Sequence, residues 1–368
     1  MRRRFAVVCA FLVVAAALAP ASVAGASGAV ATAHEDCSFP VTTTDASGTE
    51  VTIEETPERV TTLNPSAAQT MWEIGGKSQV VGRTAFAAYL DGAESRTNIS
   101  AAGGFGVSVE KVIGTEPDLV LAPNATQADT VSALRDAGLT VYQFELAEDI
   151  DDVAAKTTTI GRLTGNCEGA ARTNAWMNAN VEAARQATAD AEEPRVMYPL
   201  GGGYVANTNT FISAMVTASG GQNAMSEANY TLAYPQVNDE VILELNPAVL
   251  IVTDANRYLL AQEPYASTAA AQNNQTVSVN VNYLNQPAPR SVVYAVRNLT
   301  RGFHPDAAAS AEFTAKSEVT LETATPTPAE TEMATETESA TPSGGQPGFG
   351  VAAALAALAS LALLARRE

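Results

Sequence analysis

The sequence predicts an α/β fold made of two similar lobes with parallel sheets, joined by a long rigid helix. One observation is a repeated unit, found in residues 57–76 and again in 194–221. In each copy a proline is followed by an apolar strand and then by a helix that ends at a glycine pair. Another is a capped helix followed by a proline and an apolar strand, in residues 108–121 and 238–252. A third is the helix-rich stretch 150–189 between the halves. Such alternation is typical of Rossmann-like lobes with covering helices.

The first repeated unit begins each lobe. Residues 59–63 (RVTTL) and 195–198 (RVMY) have the apolar, β-branched character of strands. Helices are expected over residues 66–73 and about 210–218, and each ends at a glycine pair that can form a C-cap. Each lobe should therefore start with a strand, a turn and a short helix.

The second unit has the same spacing in both halves. Ser108 and Asn238 are the expected helix caps, and Glu110 and Glu240 each follow two residues later. In both halves the next proline comes seven residues after the glutamate. The helix macrodipole favours a carboxylate in the first turn, so helix stabilisation alone is one interpretation of these glutamates.

The segment between the halves is expected to be helical, with Gly165 as its one break. From Glu168 to Ala189 a single helix would span about 33 Å at about 1.5 Å per residue. A helix of this length would connect the lobes stiffly.

Both ends of the chain have the character of targeting signals. Three arginines, an apolar run over residues 5–18 and small residues before position 27 predict a secretory signal peptide over residues 1–26. The arginines also fit a twin-arginine signal loosely, and a simple membrane anchor is the alternative. At the other end, residues 351–365 would form a helix of about 22 Å against a hydrocarbon core of about 30 Å. This tail is therefore expected to be a processed signal.

The composition indicates an exported protein adapted to salt. The chain has 40 acidic against 21 basic residues, a pattern that keeps halophile proteins solvated and argues against nucleic-acid partners. Five N-x-S/T sequons fit an exported glycoprotein. Their asparagines are Asn98, Asn124, Asn229, Asn274 and Asn298.

The cysteines and histidines restrict the chemistry. Beyond the signal peptide the cysteines are Cys37 and Cys167, for which an extracellular disulfide is expected and two buried thiols are the alternative. The two histidines, His34 and His304, lie outside the expected lobe interiors, so we expect no histidine metal site, no metal and no Ser-His pair. A hydrolase would have to use carboxylates alone. The glycine run at 201–203 lacks phosphate-loop spacing and is interpreted as a turn.

Pro347-Gly348-Phe349 stands between a Thr/Glu/Pro-rich stretch and the hydrophobic tail with its terminal arginines. This arrangement resembles haloarchaeal surface proteins that carry the PGF-CTERM sorting signal, over the last fifty residues of the chain. The resemblance implies that an archaeosortase removes the tail and attaches a lipid, leaving an extracellular protein anchored to the cell membrane. Residues 316–346 would then be a disordered spacer, since they have too few apolar residues for a core.

Three stretches carry a second resemblance, over residues 50–315: RVTTLNPSAAQTMWEIG, SVEKVIGTEPDLVLAPN and YPQVNDEVILELNPAVLIV. Together they resemble the substrate-binding proteins of ABC importers for vitamin B12 and ferric siderophores. The resemblance implies a helical-backbone periplasmic binding protein fold, capture of a ligand between the lobes and delivery to a permease, without catalysis and without a cofactor. Corrinoid binding is the first expectation, and ferric siderophore or haem binding is the alternative. A surface adhesin is a further alternative, although an adhesin would not need the repeated glutamates.

In corrinoid-binding members of that family, the loop after the first strand and aromatic residues of both lobes face the cleft. Each aromatic could equally be a core residue. Arg257 could meet an anionic ligand such as a siderophore, as could Arg290, or Arg257 could be a solvated surface arginine. Matched by local motif, or by spacing alone for Tyr204, the expected ligand residues are Pro65, Ser66, Phe86, Phe105, Tyr204, Tyr234 and Arg257.

The resemblance also assigns Glu110 and Glu240 to docking. In that family, one glutamate per lobe at this motif position meets arginines of the permease dimer, which works with its ATPase subunits.

The expected domain organisation follows from all of these features. Its segments are a signal peptide (1–26), a mature N-terminal segment (27–57), the N-terminal lobe (58–149), the linking helix (150–190), the C-terminal lobe (191–315), the spacer (316–346) and the sorting signal with its tail (347–368).

Overall fold

A computed structural model of the chain describes residues 30–32 and 37–322. The predicted signal peptide, the sorting signal and the spacer beyond residue 322 lie outside the described residues. Within the described part, no helix has both the length and the apolar character needed to cross a membrane.

Three strands precede the first lobe: β1 (Val30–Thr32), β2 (Val41–Thr44) and β3 (Glu50–Ile53). β2 and β3 form an antiparallel hairpin whose apolar side chains are buried in the core of the first lobe. In the turn of the hairpin, the buried Asp45 carboxylate pairs with Arg135 at 2.5 Å. Residues 41–53 are thus packed onto the first lobe as a hairpin.

The first lobe has a five-stranded parallel sheet in the order β6-β5-β4-β7-β8. Its two central strands are fully buried: residues 119–122 are apolar throughout, as expected for a strand covered on both faces, whereas residues 60–62 include two buried threonines. The strands are β4 (Val60–Thr62), β5 (Val80–Arg83), β6 (Thr97–Asn98), β7 (Leu119–Ala122) and β8 (Val141–Gln143).

Three helices connect these strands: α1 (Pro65–Glu73), α2 (Val109–Ile113) and α3 (Ala128–Asp136). Asn64 caps α1 and Ser108 caps α2, each by accepting a backbone N–H of the first turn. The strand, turn and helix that the sequence predicted at the start of this lobe are all present.

Two helices link the lobes. α4 (Ile150–Thr164) ends at Gly165, whose φ of 73° gives the left-handed C-cap expected of a glycine. α5 (Cys167–Thr188) has 22 residues, so it spans about 33 Å, as the sequence predicted within one residue at each end. α5 contributes Ala170 to the core of the first lobe and residues from Ala175 onward to that of the second, so it is packed against both.

A disulfide joins Cys37 to Cys167 across 130 residues of sequence. It fastens the segment before β2 to the first residue of α5. Of the two states considered from the sequence, the structure contains the bonded one.

The second lobe has a four-stranded parallel sheet in the order β12-β9-β13-β14, and β10 and β11 form a separate antiparallel hairpin. Here too the strand that runs through the middle of the core, β13, is fully buried. The strands are β9 (Arg195–Met197), β10 (Pro199–Gly201), β11 (Tyr204–Val205), β12 (Gln222–Asn223), β13 (Val249–Val252) and β14 (Thr276–Ser278).

The helices of the second lobe surround this sheet. α10 is amphipathic and buries one face against α5 and the sheet. The helices are α6 (Phe211–Ala218), α7 (Asp239–Leu245), α8 (Ala269–Gln272), α9 (Val281–Leu284), α10 (Pro289–Phe303) and α11 (Pro305–Ser310).

The folded body continues past residue 315, so the predicted start of the disordered spacer was wrong. Lys316–Glu318 forms a short 3₁₀ turn, Val319 is buried, and β15 (Thr320–Glu322) pairs in parallel with β1. Lys316 forms an ion pair with Glu73 of the first lobe. The composition did not predict this boundary, because the segment is held by single contacts: the burial of Val319 and the ion pair of Lys316.

Candidate ligand cleft

The expected ligand residues lie beyond the carboxyl ends of the parallel strands, on loops or in the elements that follow them. In the first lobe, Pro65 and Ser66 follow β4, Phe86 follows β5, and Phe105 lies in the loop after β6. In parallel α/β sheets this edge is where ligands bind, because loops and helix starts converge there.

The second lobe presents its candidates in the same way. Tyr204 begins β11 in the hairpin that follows β9, Tyr234 lies in the long loop after β12, and Arg257 follows β13. The two sets therefore occupy equivalent edges of the two sheets.

Phe86 and Phe105 form an exposed aromatic pair on the first lobe. Their ring centroids are 5.8 Å apart with the planes tilted by 55°, and the residues are 52% and 80% exposed. The loop around Phe105 is flanked by glycines with positive φ, so the ring is carried on a tight turn. Two large rings exposed side by side form an apolar surface suited to a flat apolar partner.

Ser66 has a different environment from the one expected. The residue is fully buried, and its hydroxyl accepts hydrogen bonds from the Asn64 amide at 2.8 Å and the Lys156 ammonium at 3.1 Å. Pro65, the first residue of α1, is half-buried beside it. Ser66 therefore supports the loop after β4 instead of lining an open surface.

Tyr204 and Tyr234 both line a pocket in the second lobe. The volume of this pocket is about 410 Å³. The Tyr198 hydroxyl donates to Asn285 Oδ1 at 3.0 Å at its edge. Burial raises the pKa of Tyr234 to about 12, so this phenol stays neutral. The pocket is lined by Leu200, Gly201, Tyr204, Ile212, Tyr234 and Asn285.

The glycine run forms the turn that the sequence predicted, between β10 and β11. Gly201, Gly202 and Gly203 all have positive φ, from 61° to 97°. A Cβ added at Gly201 would lie 3.2 Å from the Tyr258 hydroxyl. Tyr258 is half exposed beside the pocket, and the sequence analysis did not identify it.

Buried polar contacts join α1 of the first lobe to α10 of the second. The Gln69 side-chain oxygen accepts from both the N–H and the hydroxyl of Ser291, each at 3.0 Å, while its amide donates to the Tyr89 hydroxyl at 2.6 Å. Gln69 and Ser291 are fully buried. Because every polar group in this set has a partner, it fixes how the two helices meet.

Glu73 adds a charged contact at the end of α1. Its carboxylate accepts from Arg290 at 2.5 Å and from Lys316 at 2.7 Å, and its side chain is 8% exposed. Arg290, considered from the sequence as a partner of anionic ligands, is thus engaged with Glu73.

Lys156 of α4 bridges the two lobes. Its ammonium donates to the Ser66 hydroxyl of the first lobe and to the Pro287 carbonyl of the second, the latter at 2.5 Å. Neither acceptor is a carboxylate, and burial lowers the pKa of this ammonium to about 7. A rare lysine in such an acidic chain was the one sequence signal that could have identified it.

Arg257 is exposed at the edge of the second lobe and donates to the Ser278 hydroxyl at 2.9 Å. That hydroxyl carries no charge, so the contact leaves the positive charge of Arg257 uncompensated. The structure therefore places one candidate cation beside the carboxyl ends of β13 and β14.

Glu110 and Glu240 occupy matching positions on α2 and α7, and both are exposed. Each lies two residues after a capping side chain, Ser108 or Asn238. α2 has five residues and α7 has seven, so each glutamate lies in the first turn of a short helix.

The similarity of the two short helices extends to their far ends. Glu116 and Asn246, the residues before the two prolines, both have positive φ, 46° and 37°. Arg59 donates to the carbonyls of Thr115 and Glu116 at the end of the α2 segment. Arg195 donates to a carbonyl at the end of α7 in the same way. These arginine caps were not identified from the sequence, because they join segments about fifty residues apart.

Across residues 30–32 and 37–322, no group of three or more His, Cys, Asp and Glu side chains is arranged to hold a metal ion. His304 is the histidine within this range, and its Nε2 lies 2.8 Å from the Gly220 carbonyl oxygen. His304 is therefore not one of the cleft residues.

Comparison with known proteins was made at the level of families, sequences and structures. A family model described as periplasmic binding protein matches residues 60–281, and one described as the PGF-CTERM motif matches residues 346–368. The second match indicates an extracellular, surface-anchored protein.

A protein named cobalamin-binding protein from Halobacterium salinarum is 46% identical over 347 residues, covering 92% of this chain and 91% of that protein. The vitamin B12-binding protein of Vibrio cholerae is 23% identical over 241 residues, covering 64% of this chain and 85% of that protein. Among solved structures, the periplasmic haem-binding protein RhuT from Roseiflexus sp. RS-1 has a TM-score of 0.61 and 26% identity, covering 68% of this chain and 99% of that one.

Proposed function

This chain belongs to the periplasmic binding protein family, and we propose that it captures a corrinoid between its lobes and delivers it, without catalysis, to an ABC importer. The observation that carries the proposal is the 46% identity, over nearly the full length of both chains, to a protein named for cobalamin binding.

The surfaces at the strand ends support a corrinoid as the ligand. A corrin is a broad, largely apolar macrocycle, so binding gains most from buried apolar area and ring contacts. Phe86 and Phe105 offer such a surface on the first lobe, and Tyr204 and Tyr234 offer one on the second. Pro65 completes the first-lobe edge, with Ser66 as support.

Haem or a ferric siderophore is the second candidate, favoured by the similarity to the haem-binding protein RhuT. Haem, through its propionates, and catecholate siderophores are anionic and would favour cationic partners in the cleft. Arg290 is paired with Glu73, which leaves Arg257 and Lys156 as the candidate cations. A corrinoid makes less demand on charge, so the aromatic surfaces favour it.

Titration calorimetry in high salt with cyanocobalamin, haemin and a ferric hydroxamate separates the candidates. We expect cyanocobalamin to bind most tightly, with a lower affinity in Phe105→Ala and no change in Arg257→Gln. Tighter binding of haemin or the hydroxamate would replace the corrinoid with an iron ligand, and loss of haemin binding in Arg257→Gln would assign its carboxylates to that arginine. No binding to any of the three would contradict both.

For delivery, we propose that Glu110 and Glu240 dock onto arginines of the two permease subunits, which act with their ATPase subunits. Their matched, exposed positions on α2 and α7 support this role. Two similar carboxylates suit a symmetric permease dimer, and close charge-assisted hydrogen bonds persist in high salt better than long-range attraction does.

For location, we propose that an archaeosortase removes the tail and that a lipid then anchors the protein to the outer face of the cell membrane. The PGF-CTERM match supports this processing. The mature protein should lack residues 351–368 by intact-mass measurement and yet sediment with membranes. A mass that includes the tail would contradict the processing.

A further inference from the structure

The five N-x-S/T sequons are presented differently by the fold. In this motif an asparagine amide is glycosylated when a serine or threonine follows two residues later. Because the motif requires the hydroxyl as well as the amide, a transferase must reach both side chains if the protein is modified after it has folded. All five asparagines are exposed, so the hydroxyl residues distinguish the sequons.

Two sequons have a buried hydroxyl. Asn298 lies on α10, where Thr300 is fully buried and its hydroxyl donates to the Val296 carbonyl at 2.8 Å. In the sequon of Asn98, Ser100 is 3% exposed and its hydroxyl accepts a backbone N–H at 2.8 Å. In the folded protein, neither hydroxyl is accessible to a transferase.

Two further sequons are held by local structure. Thr276, in the sequon of Asn274, is half-buried and belongs to β14, which is paired with β13. Asn124 stands in a turn that the Thr126 N–H closes on the Pro123 carbonyl at 3.0 Å, and Thr126 is half-buried. Both hydroxyl residues are therefore accessible only in part.

The fifth sequon, Asn229-Tyr230-Thr231, has both of its polar side chains exposed. It lies in the irregular segment between the 3₁₀ turn Ala224–Glu227 and α7. Within the part of the chain that the structure describes, neither the Asn229 amide group nor the Thr231 hydroxyl has a hydrogen-bond partner. Both groups are thus available to an enzyme that approaches from solvent.

The backbone of this segment is fixed, although its polar side chains are exposed. The Asn207 side chain donates to the carbonyls of Tyr230 and Leu232, each at 2.9 Å, and Asn209 donates to the Thr231 carbonyl at 3.2 Å. The Tyr230 side chain packs against the core of the second lobe. The middle residue therefore attaches the sequon to the fold and leaves the residues on either side exposed.

The surface around the sequon lacks the charges that solvate much of this acidic protein. Residues 228–238 include no charged side chain, and Leu232, three residues after Asn229, is 69% exposed. An oligosaccharide on Asn229 would hydrate this segment in place of carboxylates.

We propose that Asn229 is the N-glycosylation site of the folded protein and carries an oligosaccharide on this loop of the second lobe. The donor is an oligosaccharide joined through phosphate to a membrane lipid, and a membrane transferase of the exporting cell is the catalyst. Asn229 Nδ2 forms a bond to the anomeric carbon, and the bond from that carbon to the phosphate oxygen breaks. The lipid phosphate leaves with the electron pair, and Nδ2 loses one proton to solvent. The site does not depend on which ligand the cleft binds.

Selection of Asn229 requires that folding precedes modification, because an unfolded chain would present all five sequons alike. Export in the folded state, as a twin-arginine signal would direct, gives this order. Modification of an unfolded chain would instead reach Asn298, whose partner Thr300 is accessible only before α10 forms.

Glycopeptide mass spectrometry of the mature protein, purified from the cells that export it, measures the occupancy of each sequon. We expect Asn229 to have the highest occupancy and Asn98 and Asn298 to be unmodified. An unmodified Asn229, or an occupancy of any other sequon equal to that of Asn229, would overturn the inference.

Intact-mass measurement of variants tests the assignment independently. Asn229→Gln and Thr231→Val should each lose the mass of one glycan, although Thr231→Val retains the amide, whereas Thr231→Ser keeps the hydroxyl and should keep the glycan. Asn298→Gln is the matched control, because it alters an exposed asparagine of the same motif, and its mass should change only by the substitution. Thermal unfolding checks that each variant is folded. A glycan retained in Asn229→Gln, or lost in Asn298→Gln, would contradict the assignment.

Discussion

The first lobe is reinforced at its outer edge, by the β2–β3 hairpin and the Cys37–Cys167 disulfide, whereas the second lobe carries an open pocket at its cleft edge. Both have parallel sheets built from the same repeated units. The difference lies in what has been added to each sheet. A shared scaffold can therefore keep matched surfaces on two lobes while its loops provide unlike surfaces for one asymmetric ligand.

What the lobes share is concentrated around α2 and α7. Each helix has a polar cap, an exposed glutamate, a residue of positive φ before the proline and an arginine bound to its last carbonyls. The arginine caps satisfy carbonyls that a short helix leaves without partners. This shared structure holds the two glutamates in equivalent positions.

The largest expected effect comes from removing the reinforcement of the first lobe. The disulfide closes a loop of 130 residues, so Cys37→Ser with Cys167→Ser should lower the free energy of unfolding by about 2–4 kcal/mol. Guanidinium unfolding in high salt measures this, and reduced wild-type protein is the matched control. Ligand affinity should change little, because the bond lies away from both cleft surfaces. An affinity loss as large as the stability loss would show that the reinforcement and the ligand surfaces are not separate.

Replacing the two glutamates tests whether the two lobes contribute equally to docking. Glu110→Gln and Glu240→Gln should each reduce cellular uptake by a similar factor, and the double variant by about tenfold, since each removes one charge-assisted contact. Ligand affinity and Tm should stay unchanged. Glu244→Gln, at an exposed position of the same helix as Glu240, is the control and should transport normally. Normal uptake by the double variant would show that both glutamates only stabilise the starts of their helices.

The last expected effect concerns Lys156, which contacts both lobes. Burial lowers the pKa of its ammonium to about 7, against about 10.4 in the unfolded chain. Between these values the unfolded chain binds more protons, so the free energy of unfolding rises with pH. Below pH 7 the cost of the buried charge is present in full. The free energy of unfolding of the wild type minus that of Lys156→Met should therefore rise by up to about 1.4 kcal/mol per pH unit above pH 7.

Denaturant unfolding at pH 6, 7, 8 and 9 provides the measurement for Lys156. The variant serves as the reference for every other titrating group, since these are common to both proteins. A constant difference across this range would mean that the ammonium is solvated and does not sense the junction between the lobes.

The sequence by itself determined the order of elements, the two-lobe repeat, the linking helix and the position of the expected ligand loops. These depend on local signals, such as a proline before a strand, a capping side chain before α2 and α7, and Gly165 between α4 and α5. The bounds of β13 and α5 agree with the prediction to within one residue. Local signals suffice there because the backbone and its nearest neighbours decide the conformation.

Only the tertiary structure decided which side chains meet. Gln69 and Ser291 are 222 residues apart and Glu73 and Lys316 are 243 apart, and no local pattern encodes such pairs. The same holds for Ser66, whose burial results from Lys156 reaching across from α4, and for the pocket around Tyr204. The physical reason is that these environments are created when the lobes and the linking helices pack, and the cost of burying each polar group depends on the partners that packing supplies.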